Sequence, residues 1–216
     1  TLFRSLDRTT PGDSETQWSR LAARYLRKEF ALSKEVKRAT VHIAGMGLYE
    51  LFINGQRIGD QVLAPAPTDY RKTILYNTYD VTPQLRKENA IGVTLGNGRF
   101  YTMRQNYKPY KIPTFGYPKL RLNLIVEYMD GSKETIATNT SWKLTTEGAI
   151  RSNNEYDGEE YDARKELGNW TQSGYDDKSW IAAQRVSIPS GTLRAQIMPG
   201  MKVMDTLKPV SIQKLG

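Results

Sequence analysis

The most polar stretch of the sequence is SNNEYDGEEYDAR, residues 152–164, which groups carboxylates, two amides and two tyrosines around one glycine. Carboxylate and amide oxygens at this density suit a hard cation such as Ca²⁺, which takes roughly six to eight oxygen ligands. The spacing does not match an EF-hand loop. Composition therefore indicates a possible calcium-assisted binding site, and its candidate ligands are Asn153, Asn154, Asp157 and Glu159.

The end of the same segment has a structural interpretation. Arg164 carries a planar guanidinium that suits the carboxylate of Asp162. Together with Tyr161, these residues would form a buried ion pair and hydrogen-bond cluster that locks the loop to the rest of the fold. For residues 161–164 this interpretation is favoured over ligand binding. For the four candidate calcium ligands, the structural and the ligand-binding interpretations are both open.

A second candidate segment is GNGRFYTMRQNYKPYKIPTFGYP, residues 96–118. Loops of more than about fifteen residues in a compact domain are commonly functional. Sugars bind to aromatic faces and to planar side chains that donate and accept in pairs, and this loop has both. The candidate sugar-binding residues, two of them from the first segment, are Arg99, Tyr101, Arg104, Asn106, Tyr107, Asn154 and Glu159. Alternatively, the tyrosines pack over a sheet edge or against a further domain.

The composition excludes several chemistries. The 216 residues contain no cysteine, which excludes disulfides, thiol catalysis and cysteine-ligated zinc. The sequence has one histidine, His42, which excludes a histidine-based metal centre. His42 alternates with Val41 and Ile43, so we expect it on the solvent face of a strand. No run approaches the ~18 apolar residues that a membrane span needs.

The net charge of +8 is compatible with a nucleic-acid partner. The densest basic groups lie in residues 24–28 and 34–38, where they interleave with Glu29 and Glu35. Because the charges are scattered and form no continuous stripe, the sequence disfavours nucleic-acid binding.

Short alternating runs separated by turns dominate the chain from residue 23 onward. In LRLNLIVEY, apolar residues occupy every second position from Leu120 to Tyr128, as in a strand with one wet face. The Asn54-Gly55 pair between two apolar runs predicts a type I′ hairpin. Further strands are predicted at residues 74–79, 90–95, 135–137 and 142–145. The sequence therefore predicts an all-β, antiparallel β-sandwich or jelly roll.

Two short helices are predicted beside these strands. One lies near residues 82–87, with Thr82 as its cap and Pro83 in its first turn, and the other near residues 176–180. In LAPAPTDYRK, the prolines force extended backbone, and Asp69, Tyr70 and Arg71 are expected to fix a crossing between strands.

The chain divides into three predicted segments. Residues 1–20 are an extended lead-in, residues 21–185 form the sandwich, and residues 186–216 are an extended segment leading to downstream domains. One more strand is possible around residues 201–207. Trp170 and Trp180 are predicted to be core anchors, because each buries a large area with one N–H left to pair.

Five sequence blocks occur in order, followed by LKPVSI near the end: ARYLRKEF, VKRATVHIAGMGLYELFINGQRIGDQVLAPAPTDYRKTILYNTYDVT, NAIGVTLGNGRFY, EYDGEEYDAR and GYDDKSWIAA. Together they resemble the N-terminal region of glycoside hydrolase family 78, the bacterial α-L-rhamnosidases. FINGQRIG alone is shared with galactose-binding-like domains of many glycosidases, whereas its combination with LAPAPTDYRK, YDGEEYDAR and LKPVSI is far more specific. The resemblance spans nearly the whole chain and implies a galactose-binding-like sandwich.

The resemblance implies a parent enzyme that hydrolyses terminal α-L-rhamnosides with inversion, using carboxyl groups of an (α/α)6 barrel outside this chain. It implies that this chain is a non-catalytic accessory domain that braces the barrel, its partner in the same polypeptide. Such a brace should expose an apolar patch where it meets the barrel. The family's diet of plant polysaccharides implies a periplasmic or secreted location.

The alternative function is an independent L-rhamnose-binding module. The chain also resembles carbohydrate-binding module family 67, some members of which bind L-rhamnose through calcium. That resemblance adds Asn106 to the metal candidates and implies L-rhamnose or a rhamnose-containing glycan as ligand. Such a module should show a concave, exposed cluster of aromatic and amide side chains.

Overall fold

The computed structural model describes residues 2–4, 21–101, 115–155, 158–187, 189–211 and 213. This part of the chain is built almost entirely of strands and turns, and none of its helices is long and apolar enough to cross a membrane. The strands are β1 Leu2–Arg4, β2 Arg24–Ala31, β3 Val36–Met46, β4 Leu48–Ile53, β5 Gln56–Ile58, β6 Thr73–Asp80, β7 Glu88–Gly96, β8 Lys119–Tyr128, β9 Lys133–Ala137, β10 Lys143–Thr145, β11 Ile150–Asn154, β12 Gly158–Tyr161, β13 Ile181–Ala182, β14 Gln184–Val186 and β15 Thr192–Ala195. The predicted all-β class is confirmed.

Two large sheets and one hairpin account for these strands. The seven-stranded sheet has the order β14-β1-β8-β3-β6-β15. The seventh strand, β9, pairs with β8 on the edge opposite β3, where β1 also pairs. The six-stranded sheet has the order β13-β10-β2-β7-β4-β5, and β11 and β12 form a separate two-stranded hairpin. The central pairs β3 with β8 and β2 with β7 are antiparallel, whereas β15 runs parallel to β6.

The main core is a single apolar cluster to which both sheets contribute. On β8, Leu120, Leu122, Leu124 and Val126 are fully buried, whereas Ile125 between them is exposed. Burying each of these side chains contributes about 1.5–3 kcal/mol. The alternation read from the sequence is therefore confirmed, because every second residue of β8 enters the core.

β2 departs from the alternation predicted from residue 23 onward, since all of residues 24–27 are buried. Trp170 packs edge-on against Tyr25, with ring centroids 5.4 Å apart, and Trp180 belongs to the same apolar cluster. These tryptophans cover the face of β2 that points away from the main core. Their predicted role as core anchors is confirmed.

Arg27 fastens the covering segment to β2. Its side chain is 1% exposed and forms ion pairs with Asp177 and Glu29. It also donates to the carbonyl oxygens of Trp170 at 2.9 Å and Gln172 at 3.0 Å. A buried guanidinium is tolerated only when its donors are matched in this way. Arg27 is therefore a structural residue of the sandwich.

The Asn54-Gly55 hairpin forms as predicted between β4 and β5. The two residues have φ values of 51° and 83°, the left-handed conformation that this dipeptide tolerates. The Asn54 side chain also donates to the carbonyl oxygen of Gln84 and accepts from the N–H of Ala90, both at 2.8 Å. The turn residue therefore ties the hairpin to β7.

Both helix predictions need correction. Near residues 82–87 the chain forms a short 3-10 turn at Thr82–Gln84, and Thr82 lies inside the turn instead of capping it. The Thr82 hydroxyl donates to Asp80 and accepts from the backbone N–H of Ala39, so it ties the turn to β3. Residues 176–180 are irregular apart from a turn at residues 178–179, and the ion pair between Asp177 and Arg27 holds this stretch against β2.

The strand predicted around residues 201–207 is wrong. Pairing there is limited to an isolated bridge between Lys202 and Gln61. The strand lies earlier, at β15, which joins the edge of β6. At the other end of the chain, β1 within the predicted lead-in pairs with β8 and β14. Strand pairing therefore includes residues from both predicted flanking segments.

Candidate functional site

The two candidate segments of the sequence meet in the structure. The backbone N–H of Asn97, just after β7, donates to Oδ1 of Asn153 on β11 at 2.6 Å. The side-chain amide of Asn97 donates to the carbonyl oxygen of Asn153 at 2.8 Å. A Cβ on Gly96 would lie 2.8 Å from Asn153 Oδ1, so glycine allows this close approach. The start of the long loop and the β11–β12 hairpin therefore form one surface.

An open cleft of about 510 Å³ lies beside this junction. Phe115 forms an aromatic wall of the cleft and packs edge-on against buried Tyr70, with ring centroids 5.1 Å apart. Convergent polar groups around an apolar surface are typical of small-molecule sites. The lining residues are Pro67, Thr68, Asp69, Arg71, Arg99, Phe115 and Glu155.

The charged groups of the cleft are paired with one another. Oδ1 of Asp69 lies 2.9 Å from Nε of Arg71, and Oε1 of Glu155 lies 2.5 Å from Nη1 of Arg99. Hydrogen bonds from Arg71 hold the pKa of the Asp69 carboxyl below its usual range. Burial raises the pKa of Tyr70 behind the wall to about 12. Asp69 and Tyr70 can therefore hold hydrogen bonds but are poorly matched to proton transfer near neutral pH.

The structure places the predicted sugar-binding residues in different environments. Arg99 lines the cleft. Tyr101 is 5% exposed and stacks on Tyr117 with ring centroids 5.6 Å apart, and burial raises its pKa to about 12. Tyr101 therefore packs within the fold. Asn154 is half-buried on β11, and Glu159 is exposed on β12. Three further candidates lie outside the described residues, namely Arg104, Asn106 and Tyr107.

The predicted calcium ligands do not form a complete donor set in the described part of the chain. Oδ1 and the carbonyl oxygen of Asn153 both accept hydrogen bonds from Asn97, so both oxygens already have partners. Among the described residues, no group of three or more His, Asp or Glu side chains could hold a metal ion. Asn106 and Asp157 lie outside those residues. Calcium binding stays a prediction.

The ion pair predicted between Asp162 and Arg164 forms, with Nε of Arg164 2.8 Å from Oδ1 of Asp162. Its predicted burial is wrong, because the Arg164 side chain is 89% exposed and Tyr161 is 54% exposed. Asp162 is the N-cap of a 3-10 turn at Ala163–Lys165 that follows the β11–β12 hairpin, and its side chain also accepts from the backbone N–H of Arg164. The Arg164 hydrogen bonds lower the pKa of Asp162 to about 2.

Comparison with known proteins identifies the family. Residues 34–205 match the family model described as Alpha-L-rhamnosidase N-terminal domain. The chain belongs to this family. A relative from Formosa agariphila named Alpha-L-rhamnosidase is 41% identical, with the match covering 89% of this chain and 21% of the relative. A Streptomyces avermitilis relative of the same name is 37% identical, covering 92% and 21%. The rhamnosidase N-terminal domain thus spans about a fifth of these curated relatives.

Solved structures agree with this assignment. The α-L-rhamnosidase from Dictyoglumus thermophilum superposes with a TM-score of 0.82 at 40% identity, covering 97% of this chain and 23% of that one. The Streptomyces avermitilis enzyme, solved in complex with L-rhamnose, superposes with a TM-score of 0.69 at 38% identity, covering 80% and 17%. The fold described above is therefore that of a rhamnosidase N-terminal domain.

Sequence reasoning missed most of the cleft of the rhamnosidase domain, namely Asp69, Arg71, Phe115 and Glu155. An available signal was TDYR, in which an acid, an aromatic residue and a base follow two prolines. The sequence pattern alone favours a fixed strand crossing for that group, whereas the structure places Asp69 and Arg71 in the cleft. Phe115 and Glu155 lie inside the two candidate segments, but only their packing against Tyr70 and Arg99 shows which side chains face the cleft.

The C-terminal segment of the domain, residues 197–210, presents apolar side chains to solvent. The segment is attached by a hydrogen bond from the N–H of Val62 to the carbonyl oxygen of Met201, 2.9 Å long, and by an ion pair between Lys202 and Asp60. Its exposed large apolar side chains are Ile197, Met198, Met201, Val203, Met204, Leu207 and Val210.

Proposed function

We propose that this chain is a non-catalytic accessory domain that braces the catalytic barrel of an α-L-rhamnosidase. In this proposal the barrel hydrolyses terminal α-L-rhamnosides with inversion, and both carboxyl groups of that reaction lie outside residues 1–216. The observation that carries the proposal is the apolar surface of the C-terminal segment, where Ile197, Met204 and Leu207 are 92%, 90% and 88% exposed. Exposed apolar patches of this kind mark interfaces.

The chemistry of the cleft supports a non-catalytic role. Inverting hydrolysis needs one carboxylic acid with a raised pKa and one carboxylate that activates water, roughly 6.5–9.5 Å apart. The pKa of Asp69 is instead lowered by Arg71, and Glu155 is ion-paired with Arg99. Each of these carboxylates is paired with a neighbouring arginine side chain.

The catalytic part of the proposal is tested by neutralising both cleft carboxylates in the full-length protein. The variant Asp69→Asn with Glu155→Gln should keep kcat for an aryl α-L-rhamnoside within about twofold of the parent. Product configuration followed by NMR should show inversion in both proteins. A fall in kcat of about a hundredfold or more would place catalysis in this domain.

The bracing part is tested by charging the C-terminal segment in the full-length protein. We expect Ile197→Asp with Leu207→Asp to lower the melting transition of this domain by about 5 °C, because the interface would have to bury carboxylates. The matched control is Met129→Asp, since Met129 is 60% exposed on the β8–β9 turn. The control should shift melting by less than about 2 °C. Equal shifts in the two proteins would contradict docking through residues 197–210.

A second candidate function, binding of L-rhamnose, is supported by the cleft. Phe115 offers a ring, while Thr68, Arg71 and Arg99 offer polar groups around it. A hexose can lie with its C–H face on an aromatic ring while its hydroxyls bond to such groups. The relative from Streptomyces avermitilis was solved with L-rhamnose, which makes this sugar the ligand to test.

Calorimetric titration with L-rhamnose, first with calcium and then with a chelator, tests this candidate. We expect heat of binding that Phe115→Ala reduces by at least about tenfold in affinity. Arg164→Gln is the control, because Arg164 is exposed beside Asp162 and does not line the cleft. Loss of binding with the chelator would support a calcium-assisted site. If no heat of binding is measured under either condition, bracing is the one proposed role that remains.

A further inference from the structure

The outer face of the seven-stranded sheet has a second hollow, of about 290 Å³, which we call the sheet-face groove. Its position follows from the strand register, because Ala44 on β3 pairs with Arg121 on β8. The small side chain of Ala44 leaves space between longer neighbours on both sides. The lining residues are His42, Ala44, Tyr76, Arg121, Asn123 and Leu193.

The lining side chains of β3 and β8 point away from the main core, and Ala44 among them belongs to a second, smaller buried cluster on the outer face. Val41, Ile43 and Leu122 alternate with them along β3 and β8 and are fully buried between the sheets. His42 and Asn123 pair directly across those two strands, so their side chains share the outer face. The sheet-face groove is therefore set by the same alternation that builds the core.

Several polar groups of the sheet-face groove are available to a ligand. Within the described part of the chain, the guanidinium of Arg121 and the side-chain amide of Asn123 have no hydrogen-bond or ion-pair partner. His42 Nδ1 lies 3.0 Å from Oγ1 of Thr78, which fixes the ring and leaves Nε2 to face a ligand. The His42 ring packs edge-on against Tyr76, with centroids 5.9 Å apart.

The charge of the sheet-face groove selects an anionic ligand. Its lining residues, all in the described part of the chain, include Arg121 but no Asp or Glu. Lys119 lies two residues away on the same face of β8, with its Nζ 5.6 Å from the Phe100 ring centroid. The planar fork of arginine matches a carboxylate through two parallel hydrogen bonds.

The dimensions suit one sugar ring. β8 and β6 flank β3, so Arg121 and Tyr76 are separated by two strand spacings, about 10 Å. The Arg121 and Tyr76 side chains line the hollow within that gap, so one sugar residue can place its carboxylate at the cation and a ring face toward the aromatic ring. Asn123 lies two residues from Arg121 on β8, and His42 lies across from it on β3, so both polar side chains flank this gap, where ring hydroxyls need partners.

We propose that the sheet-face groove binds a hexuronic acid residue of an acidic glycan. Arg121 holds the carboxylate, Asn123 and His42 bind hydroxyls, and Tyr76 contacts a C–H face of the ring. This site is separate from the cleft, where Arg71 and Arg99 are already paired with Asp69 and Glu155. Its occupation depends neither on the bracing role nor on L-rhamnose binding in the cleft.

Calorimetry on the full-length protein tests the site, with tetragalacturonate as the probe at low salt and without divalent cations. The methyl ester of the same tetrasaccharide is the ligand control, since it keeps the shape and removes the charge. We expect the acid to bind at least about tenfold more tightly than the ester. We expect Arg121→Gln to weaken binding of the acid by at least about tenfold.

The protein control is Arg38→Gln, which makes the same charge change on β3 at an exposed position outside the sheet-face groove. It should change affinity for tetragalacturonate by less than about twofold. Unchanged thermal melting would show that both variants fold. Equal losses in the two variants, equal binding of acid and ester, or no binding of the acid would each overturn the proposal.

Discussion

Apolar side chains are buried in one region of this domain and exposed to solvent in another. On β8, Leu122 and Leu124 are 0% exposed, whereas Met204 and Leu207 in the C-terminal segment are 90% and 88% exposed. The β8 side chains are enclosed within the core cluster formed by both sheets. The C-terminal segment is attached beside Gln61 but places these side chains in solvent. The stability of the sandwich should therefore depend on β8 and very little on residues 197–210.

Arg27 and Arg164 show the same contrast for charged side chains. Arg27 is 1% exposed and has acceptors on β2 and on the covering segment, residues 170–177, whereas Arg164 is 89% exposed and pairs with Asp162 two residues away. Buried pairs are costly to break, while exposed pairs contribute little. The burial of each arginine, more than the type of ion pair it forms, should therefore decide how much it contributes to the free energy of unfolding.

The largest expected effect is that of Arg27→Ala. The substitution leaves the carbonyl oxygens of Trp170 and Gln172 without their donor and removes both ion pairs. We expect the free energy of unfolding to fall by about 4 kcal/mol. Urea unfolding measures this, with Arg164→Ala as the control, whose unfolding midpoint should stay close to that of the parent. Similar losses in both variants would show that burial does not separate the two arginines.

Leu122→Ala should come next. Removing a fully buried side chain between the sheets leaves a cavity, and we expect a loss of about 3 kcal/mol in the free energy of unfolding. Ile125→Ala on the outer face of the same strand is the control, with an expected loss below about 1 kcal/mol, because Ile125 is 37% exposed. The urea midpoints of the two variants check this. A lower midpoint for Ile125→Ala than for Leu122→Ala would contradict the assignment of Leu122 to the core face.

Met204→Ala should change the stability of this chain by less than about 0.5 kcal/mol, because Met204 is 90% exposed. The measurement is the urea midpoint of residues 1–216. A loss above about 1 kcal/mol would mean that Met204 packs within the chain, and the contrast with β8 would fail.

Asp162→Asn should have the smallest effect and a defined pH dependence. The folded pKa of Asp162 is lowered from 3.8 to about 2, so its ion pair stabilises the fold above pH 3.8 and loses that contribution as pH falls toward 2. The parent should melt slightly above the variant at pH 7, and the difference should shrink between pH 3.8 and pH 2 and vanish below pH 2. Melting curves across this range check it, and a difference that grows on acidification would contradict the lowered pKa.

Local patterns were enough to predict much of this fold. Alternation in β8, the Asn54-Gly55 turn and the anchoring of Trp170 and Trp180 all follow from short stretches of sequence, and all are confirmed. The predicted helix at residues 176–180 failed for a non-local reason. Its conformation depends on Asp177 meeting Arg27, which is 150 residues away in sequence.

The candidate site was predictable only as segments. Residues 96–118 and 152–164 were predictable as candidate segments, and Arg99 in the first of them lines the cleft. The places of Phe115 and Glu155 in the cleft were not predictable, because which residues of such a segment face a cavity depends on contacts with other segments. The sheet-face groove was missed for the same reason, since Arg121 and Tyr76 come from strands that neighbour β3 only in the folded sheet.

The sequence by itself determined the all-β class, the faces of the long strands and membership of the α-L-rhamnosidase N-terminal domain family. These depend on side-chain period, turn residues and blocks that are read along the chain. The tertiary structure alone decided that Arg27 is buried, that Arg164 is exposed and that two separate hollows face solvent. Burial and convergence depend on which distant segments cover a residue, and no local period encodes that.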